Sequence, residues 1–230
     1  MKVAILFSGG KDSTFTLHVM HAKGFKVTNL IIISPKSWES WMFHKPNINW
    51  ATLQAKAMEI PYIYLETSGE KDKELKDLER AICLSIEKYD IDAVAIGAIC
   101  SNYQRKNVEF ICEKLGIKLF TPLWGKDQEK YLLEVIDLGI KFIISSITCY
   151  GLPLDYLGKV ITKEDAKKII ELSRKYKFNP SFEGGEAETF VIDAPLFKKR
   201  IKILDAEKRI VSEYEGYYLI KTAILEEKNV

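Results

Sequence analysis

Short apolar segments alternate with longer amphipathic segments along the first two-thirds of this chain. We interpret the apolar segments as β-strands at residues 2–7, 26–33, 61–66, 91–97, 117–122 and 140–147. The amphipathic segments predict helices at residues 11–21, 49–59, 71–89, 102–116 and 126–139. This alternation predicts right-handed β-α-β crossovers, and the almost uninterrupted apolar character of the strands predicts burial on both faces. We therefore expect an α/β fold built on a doubly wound parallel sheet.

The pattern changes after Ile147, where the chain becomes rich in glycine and proline. One helix is predicted at residues 163–176. Three β-like segments follow at residues 189–194, 199–205 and 217–225. Because regular alternation is lost, this part indicates a separate α+β unit. We expect a first domain at residues 1–148 and a smaller α+β domain at residues 149–230.

Charge and cysteine content narrow the classes of partner. The 34 Lys and Arg residues nearly balance the 32 Asp and Glu residues, so no basic face for nucleic acid is expected. The four cysteines form no CxxC pair, which predicts buried free thiols in a reducing compartment; a redox or sulfur-transfer role is the alternative. No apolar segment has the length of a signal peptide or a membrane span. We expect a cytoplasmic protein with neither a nucleic-acid nor a membrane partner.

A long loop at residues 34–50 contains three of the four tryptophans, two prolines and His44. Loops of this length in compact domains are usually lids or binding segments. We therefore expect His44 to contact a substrate. The alternative is a tryptophan-rich surface loop that docks on the core.

The first predicted strand ends in the sequence SGGKDS, where a predicted helix begins. Free backbone N–H groups and the helix dipole at such a turn attract anions. Gly9 and Gly10 allow close approach of the backbone to a ligand. Ser8 and Ser13 add hydroxyl donors, and Lys11 adds a positive charge. Donors of four kinds at one turn indicate a polyphosphate site.

Asp12 would repel a phosphate unless it has another role. Its carboxylate can cap the helix by accepting backbone N–H groups, or it can hold a Mg²⁺ ion that bridges phosphates. Both roles stay open on the sequence alone. The spacing GxxxxGK[ST] of the Walker P-loop is absent, so this turn is of a different type.

A second polar segment is expected to face this turn. In a doubly wound sheet, the ligand lies at the carboxyl ends of the strands where the strand order reverses. If the fourth strand lies beside the first, the start of the following helix faces residues 8–13. The candidate substrate-binding residues there are Ser101, Asn102, Tyr103, Gln104 and Arg105. Arg105 could clamp a phosphate or carboxylate in a bidentate way; a solvated helix charge is the alternative.

The turn resembles the SGGxDS loop of the PP-loop ATP pyrophosphatases, in the adenine nucleotide alpha hydrolase superfamily. Longer blocks resemble the diphthine–ammonia ligase family and keep its order: SNYQRKNVEFICEKLG, GLPLDYLGKVI and FEGGEAETFVIDAPLFKKRI. The resemblance runs from residue 1 to about residue 205. Asn102 departs from it because an aspartate is expected there, and Ala187 stands where an aromatic residue is frequent.

This resemblance implies a HUP-type, Rossmann-like ATP-binding domain followed by a substrate-binding domain. It also implies ATP-dependent amidation of diphthine on translation elongation factor 2, giving diphthamide. Ammonia would be the nitrogen donor, an acyl-adenylate the intermediate, and AMP and pyrophosphate the products. ATP and Mg²⁺ are the cofactors that the resemblance implies, and diphthine-bearing elongation factor 2 is the implied partner.

The resemblance also guides the assignment of residues at the turn and beyond it. The expected ATP-binding residues are Ser8, Gly9, Gly10, Lys11, Asp12, Ser13, Ile33 and Ser34. Lys11 and Asp12 are expected to be catalytic, and Asp12 is also the expected metal ligand.

The segment GGEAET supplies a glycine-hinged loop with two carboxylates. The expected substrate-binding residues in it are Gly184, Gly185, Glu186 and Thr189. Glu186 and Glu188 are the candidate catalytic carboxylates, since attacking ammonia must lose a proton. The alternative is an exposed turn before a strand.

Two other functions stay open. A tRNA-modifying PP-loop ATPase would adenylate a base, and it would be expected to have a basic surface and often paired cysteines. A non-catalytic adenine-nucleotide sensor would use the same turn, but it would leave GGEAET and the tryptophan-rich loop without a role.

Overall fold

The computed structural model describes residues 1–35, 47–68 and 71–228, so His44 lies outside the described residues. The strands in these ranges are β1 (Lys2–Leu6), β2 (Lys26–Pro35), β3 (Tyr62–Thr67), β4 (Ala93–Ala95), β5 (Lys118–Phe120), β6 (Lys141–Ile147), β7 (Ala187–Asp193), β8 (Lys199–Ser212) and β9 (Glu215–Glu227). The α-helices are α1 (Lys11–Ala22), α2 (Ala51–Met58), α3 (Lys71–Tyr89), α4 (Asn102–Lys114), α5 (Gln128–Asp137) and α6 (Lys163–Tyr176). None of the described helices combines the length and apolarity needed to cross a bilayer.

The first sheet is parallel throughout and has the strand order β3-β2-β1-β4-β5. β1 is central, and β4 pairs with it through Ala4 and Val94. Val3 and Ile5 belong to a core cluster shared with α1 and α2, whereas Ala4 belongs to a cluster shared with α3 and α4. The predicted doubly wound sheet is confirmed, and its strand order reverses between β1 and β4.

The second sheet is antiparallel and has the order β7-β6-β9-β8. The expectation that residues 140–147 extend the parallel sheet was wrong, because β6 pairs with β7 and β9 instead. Six of the seven β6 residues are buried, and a strand buried on both faces is apolar whichever direction its neighbours run. The expected domain boundary at residue 148 would therefore place β6 in a different domain from the other strands of its sheet. The last strand of the first sheet ends at Phe120, and the first strand of the second sheet begins at Lys141.

The two sheets share one hydrophobic core. Ile5 of β1, Phe142 of β6 and Phe190 of β7 all belong to the same buried cluster. Hydrogen bonds also cross the junction: the Lys198 amide donates to the Ala57 carbonyl at 2.7 Å. Because burial of apolar surface is the main stabilising term in folding, this shared core holds the two units against each other.

Candidate functional site

A cavity of about 310 Å³ lies at the junction, where the carboxyl ends of β1, β2 and β4 meet the loop before β7. Ligand sites for small molecules commonly have volumes of this order. Its lining is formed by Leu6, Phe7, Ser8, Gly10, Lys11, Asp12, Ser13, Ile33, Ile48, Ile96, Gly97, Ala98, Ser101, Gln104, Val108, Phe182, Glu183, Gly184, Gly185, Ala187, Glu188 and Thr189. The structure therefore brings most of the SGGKDS turn together with the GGEAET segment.

The buried side-chain amide of Gln54 holds the SGGKDS turn in place. Gly9 has a φ of 81°, and a Cβ placed on it would lie 2.3 Å from the Gln54 side-chain oxygen, so glycine is needed here. The Gln54 Nε2 donates to the carbonyl oxygens of Gly9 and Val191 at 2.8 and 2.7 Å. The Val191 amide donates to the same Gly9 carbonyl at 3.0 Å. The turn is thus fixed to β7, and the sequence carried no signal for Gln54.

The two opposite charges of the turn contact each other. The Lys11 side chain is only 2% exposed, and its Nζ donates to Asp12 Oδ2 at 3.0 Å and to the Ser181 carbonyl at 2.6 Å. Asp12 Oδ1 accepts the hydroxyl of Tyr131 at 2.7 Å. An ammonium has three donors, so two of those of Lys11 are already engaged. The possibility that Asp12 caps α1 was wrong, because Gly10 is the N-cap and no side chain caps this helix.

Tyr131 is fully buried beside this pair. Burial, followed by the negative charge of Asp12, raises the pKa of Tyr131 well above its ordinary value. The hydroxyl therefore stays protonated and acts as a donor to the carboxylate. Tyr131 lies 119 positions from Asp12 in the chain, so the sequence alone gave no reason to connect them.

The start of α4 closes another side of the cavity. Ser101 is the N-cap, and its side chain accepts the Gln104 amide at 3.4 Å. Gly97 packs on the first turn of α1, where a Cβ would lie 2.8 Å from the carbonyl carbon of Asp12. Contacts below 3.0 Å are not tolerated for real Cβ atoms, so Gly97 permits the close approach of β4 to the SGGKDS turn.

Glu183 connects the two units across the cavity. Its Oε1 accepts three successive backbone amides, those of Ile99, Cys100 and Ser101, at 2.8, 3.0 and 3.3 Å. Charge-assisted bonds of this kind are stronger than bonds between neutral groups. Sequence reasoning assigned no role to Glu183, although it belongs to the same acidic segment as the two glutamates that were singled out.

The two singled-out glutamates have different surroundings. Glu186 accepts the amides of Asn179 and Gly184 at 3.0 and 2.8 Å, and it does not line the cavity. Glu188 is half-buried and does line it, from the start of β7. Thr189 also lines it and accepts the Lys11 amide through its Oγ1 at 3.1 Å. The expectation that Glu186 faces a ligand therefore does not match the geometry, since its carboxylate is used to fold the loop.

Comparison with known proteins agrees with the resemblance seen in the motifs. Residues 1–119 match the family model of the diphthamide synthase N-terminal domain, and residues 127–225 match that of the diphthamide synthase C-terminal domain. The chain belongs to the diphthamide synthase family. The two matched regions meet between residues 119 and 127, between the two sheets and close to the end of β5.

Curated relatives within this family carry the name diphthine–ammonia ligase. The relative from Schizosaccharomyces pombe is 37% identical over 99% of this chain, which spans 40% of that longer protein. The relative from Mus musculus is 33% identical over 94% of this chain, which spans 88% of it. A tRNA-specific 2-thiouridylase from a Nitratiruptor species is more distant, at 23% identity.

Among the described residues of this diphthamide synthase family member, six that we assigned to binding do not line the cavity: Gly9, Ser34, Asn102, Tyr103, Arg105 and Glu186. The Arg105 guanidinium lies 4.4 Å from the ring centroid of Trp124, so it stacks on an aromatic face instead of reaching the cavity. Ser34 donates to the Asn49 side chain at 2.9 Å. Asn102 is exposed, so its departure from the family aspartate lies outside the cavity.

The donor set of the cavity suits a magnesium ion that is held mainly by phosphates. Among the described residues, no three His, Cys, Asp or Glu side chains form a group that could hold a metal ion. Mg²⁺ usually binds through one or two carboxylates and the oxygens of a phosphate ligand. Asp12 lies on the cavity wall beside the SGGKDS turn and fits that single-carboxylate role.

The cysteines of this family member do not form a reactive pair. Cys112 is buried, Cys83 and Cys149 are half-buried, and Cys100 is exposed, so the prediction of four buried thiols is confirmed for Cys112 alone. Burial raises the pKa of Cys112 to about 12 and that of Cys149 to about 11. Because the thiolate is the reactive form, these two thiols are poor nucleophiles.

Proposed function

We propose that this chain is an ATP-dependent ligase that amidates diphthine with ammonia, the activity for which its curated relatives are named. The observation that carries the proposal is the meeting of the SGGKDS turn and the GGEAET segment on one cavity, in a chain that matches the family in both of its regions. The proposed protein substrate is diphthine-bearing elongation factor 2, and the proposed location is the cytoplasm.

ATP is proposed to bind along the cavity with its phosphates at the SGGKDS turn. The amides at the start of α1 and the nearby Lys11 ammonium supply the positive environment that phosphates need. Ile33, Ile96 and Val108 supply apolar walls for the base. Lys11 would exchange its contact with Asp12 for a phosphate oxygen, since both residues line the cavity in which the phosphates are proposed to lie.

The first chemical step is attack by the diphthine carboxylate on the α-phosphorus. A new bond forms between the carboxylate oxygen and phosphorus, the bond to the bridging oxygen breaks, and pyrophosphate leaves. This step needs alignment and neutralisation of charge more than an enzyme nucleophile. Lys11 and the turn amides meet that need, and Mg²⁺ held by Asp12 would stabilise the charge of the departing pyrophosphate.

The second step is attack by ammonia on the carbonyl carbon of the acyl-adenylate. The bond between that carbon and the phosphate oxygen breaks, AMP leaves, and the nitrogen loses a proton. Glu188 is the proposed proton acceptor because it lines the cavity, whereas Glu186 does not. Glu183 is proposed to hold the loop in place through its contact with the start of α4.

Isotope exchange between pyrophosphate and ATP tests this function. Exchange is measured without ammonia and with one of three additions: diphthine-bearing elongation factor 2, the same factor without diphthine, or tRNA. We expect exchange with the diphthine-bearing factor alone, because reversal of the first step requires the carboxylate. Exchange stimulated by tRNA alone would favour the base-modifying alternative, and ATP binding without any exchange would favour the sensor.

A further inference from the structure

Tyr131 joins the C-terminal matched region to the SGGKDS turn. It lies on α5, is fully buried, and packs edge-on against Phe15 of α1 with ring centroids 5.3 Å apart. Its hydroxyl donates to Asp12 Oδ1 at 2.7 Å. A buried hydroxyl aimed at a carboxylate on the cavity wall is a fixed contact, since the ring has no room to turn away.

The two oxygens of Asp12 are held in different ways. Oδ1 is held by Tyr131 from the core, and Oδ2 is held by Lys11, which is itself a residue of the cavity lining. If Lys11 turns to a phosphate, as the proposed function requires, Oδ2 loses its partner while Oδ1 keeps the tyrosine hydroxyl. The carboxylate then keeps its orientation and presents a single oxygen to the cavity.

We propose that Tyr131 is a positioning residue that holds Asp12 so that its Oδ2 receives the magnesium ion of bound ATP. The proposal rests on the proposed function for the identity of the ligand. Groups that hydrogen-bond to a metal ligand orient it, and their loss commonly lowers metal affinity. Tyr131 has this relation to Asp12 and has no place in the lining of the cavity itself.

The variant Tyr131→Phe keeps the ring against Phe15 and removes the hydroxyl alone. Calorimetry measures ATP affinity at a series of Mg²⁺ concentrations and again with a chelator present. We expect the half-saturating Mg²⁺ concentration to rise about tenfold in the variant, with the metal-free ATP affinity unchanged. Tyr156→Phe is the matched control, because Tyr156 is also a buried tyrosine outside the cavity lining, but it is not the tyrosine that donates to Asp12; it is expected to behave as the wild type.

The outcomes separate three cases. An unchanged Mg²⁺ dependence in Tyr131→Phe would overturn the positioning role. A parallel loss of metal-free and Mg²⁺-dependent binding, with a lower melting temperature, would overturn it as well, because the hydroxyl would then serve the fold alone. If the wild type binds no ATP at either condition, the proposed function itself fails and this proposal falls with it.

Discussion

Lys11 and Asp12 are neighbours in the chain, yet each is held by groups far away in sequence. Lys11 contacts the Ser181 carbonyl, 170 positions away, and Asp12 contacts Tyr131. The type of site was predictable, because the SGGKDS turn has recognisable glycines and donors at the end of a strand. Its supporting contacts were not, since hydrogen bonds between distant residues leave no periodic trace in the sequence.

Removal of the Lys11 charge is expected to reduce adenylation sharply, and also to lower stability to some extent because Asp12 and the Ser181 carbonyl lose a donor. Lys11→Met keeps the apolar stem against Phe182, whose ring lies 5.5 Å from the ammonium. We expect pyrophosphate–ATP exchange to fall about 100-fold or more, as is typical for loss of a group that stabilises developing charge. Lys141→Met, at an exposed ion pair with Asp193, is the control and should retain exchange. Normal exchange in Lys11→Met would contradict the assignment of the turn to the phosphates.

The two glutamates of the GGEAET segment are expected to separate in function. Glu188→Gln should leave exchange intact and slow amide formation about 100-fold, because only the second step needs the proton acceptor. Glu186→Gln should lower the melting temperature instead, since the carboxylate accepts two loop amides. Both rates are measured on each variant. An equal loss of exchange and amidation in Glu188→Gln would show that Glu188 serves ATP binding.

At the scale of elements, the helices were the most predictable parts. The helices predicted at residues 71–89 and 163–176 have the same bounds in the structure, because each has one apolar stripe and clear ends. Strands were less defined. The strand predicted at residues 199–205 extends to Ser212. None of residues 206–212 is buried, so no alternation of apolar and polar residues marks this part as a strand. The sheet to which β6 belongs depends on pairing, which apolar composition does not encode.

The contact between the loop before β7 and the start of α4 depends on Glu183. Glu183→Ala leaves three amides without their acceptor; these bonds are half-buried or exposed, so the loss is about 1 kcal/mol for each. We expect the KM for the protein substrate to rise about tenfold, because the loop then no longer holds its place over the cavity. Glu183→Gln, which keeps an acceptor oxygen, should recover part of this loss. Steady-state kinetics with varied elongation factor tests the pair of variants, and identical KM values for alanine, glutamine and wild type would rule the contact out as a determinant.

At the scale of the whole molecule, one histidine contributes to the junction of the two units. His18 Nε2 accepts the Leu196 amide at 3.2 Å, so Nδ1 carries the proton and donates to the Thr14 carbonyl at 2.7 Å. Burial lowers the pKa of His18, although the bond to Thr14 opposes this effect. A protonated Nε2 would direct a hydrogen at the Leu196 amide, so the junction favours neutral imidazole.

Stability is therefore expected to depend on pH through His18. Its pKa is 6.5 in the unfolded chain and lower in the folded one, so the unfolded state binds the proton first. The contribution of neutral His18 to the free energy of unfolding is therefore fully present above pH 6.5. It is lost as the pH falls from there towards the pKa of His18 in the folded state. The melting temperature, measured from about pH 7.5 to about pH 5.5, should fall in the wild type and fall less in His18→Gln. His21→Gln, at an exposed position of the same helix, removes only a minor cause of the lowered pKa of His18 and should keep most of the wild-type slope; a slope shared by all three proteins would exclude His18 as its source.

The hydrogen bonds from Gln54 and Val191 to the Gly9 carbonyl limit how this fold can be divided or grafted. The first sheet and its helices do not form an independent nucleotide-binding unit. The SGGKDS turn is hydrogen-bonded to β7, which lies about 180 residues later in the chain. Splitting the polypeptide after β5 would remove the Val191 amide and the Thr189 hydroxyl from the turn and would leave Gln54 as the remaining partner of the Gly9 carbonyl. Grafting the SGGKDS turn into another protein therefore requires a strand equivalent to β7 as well.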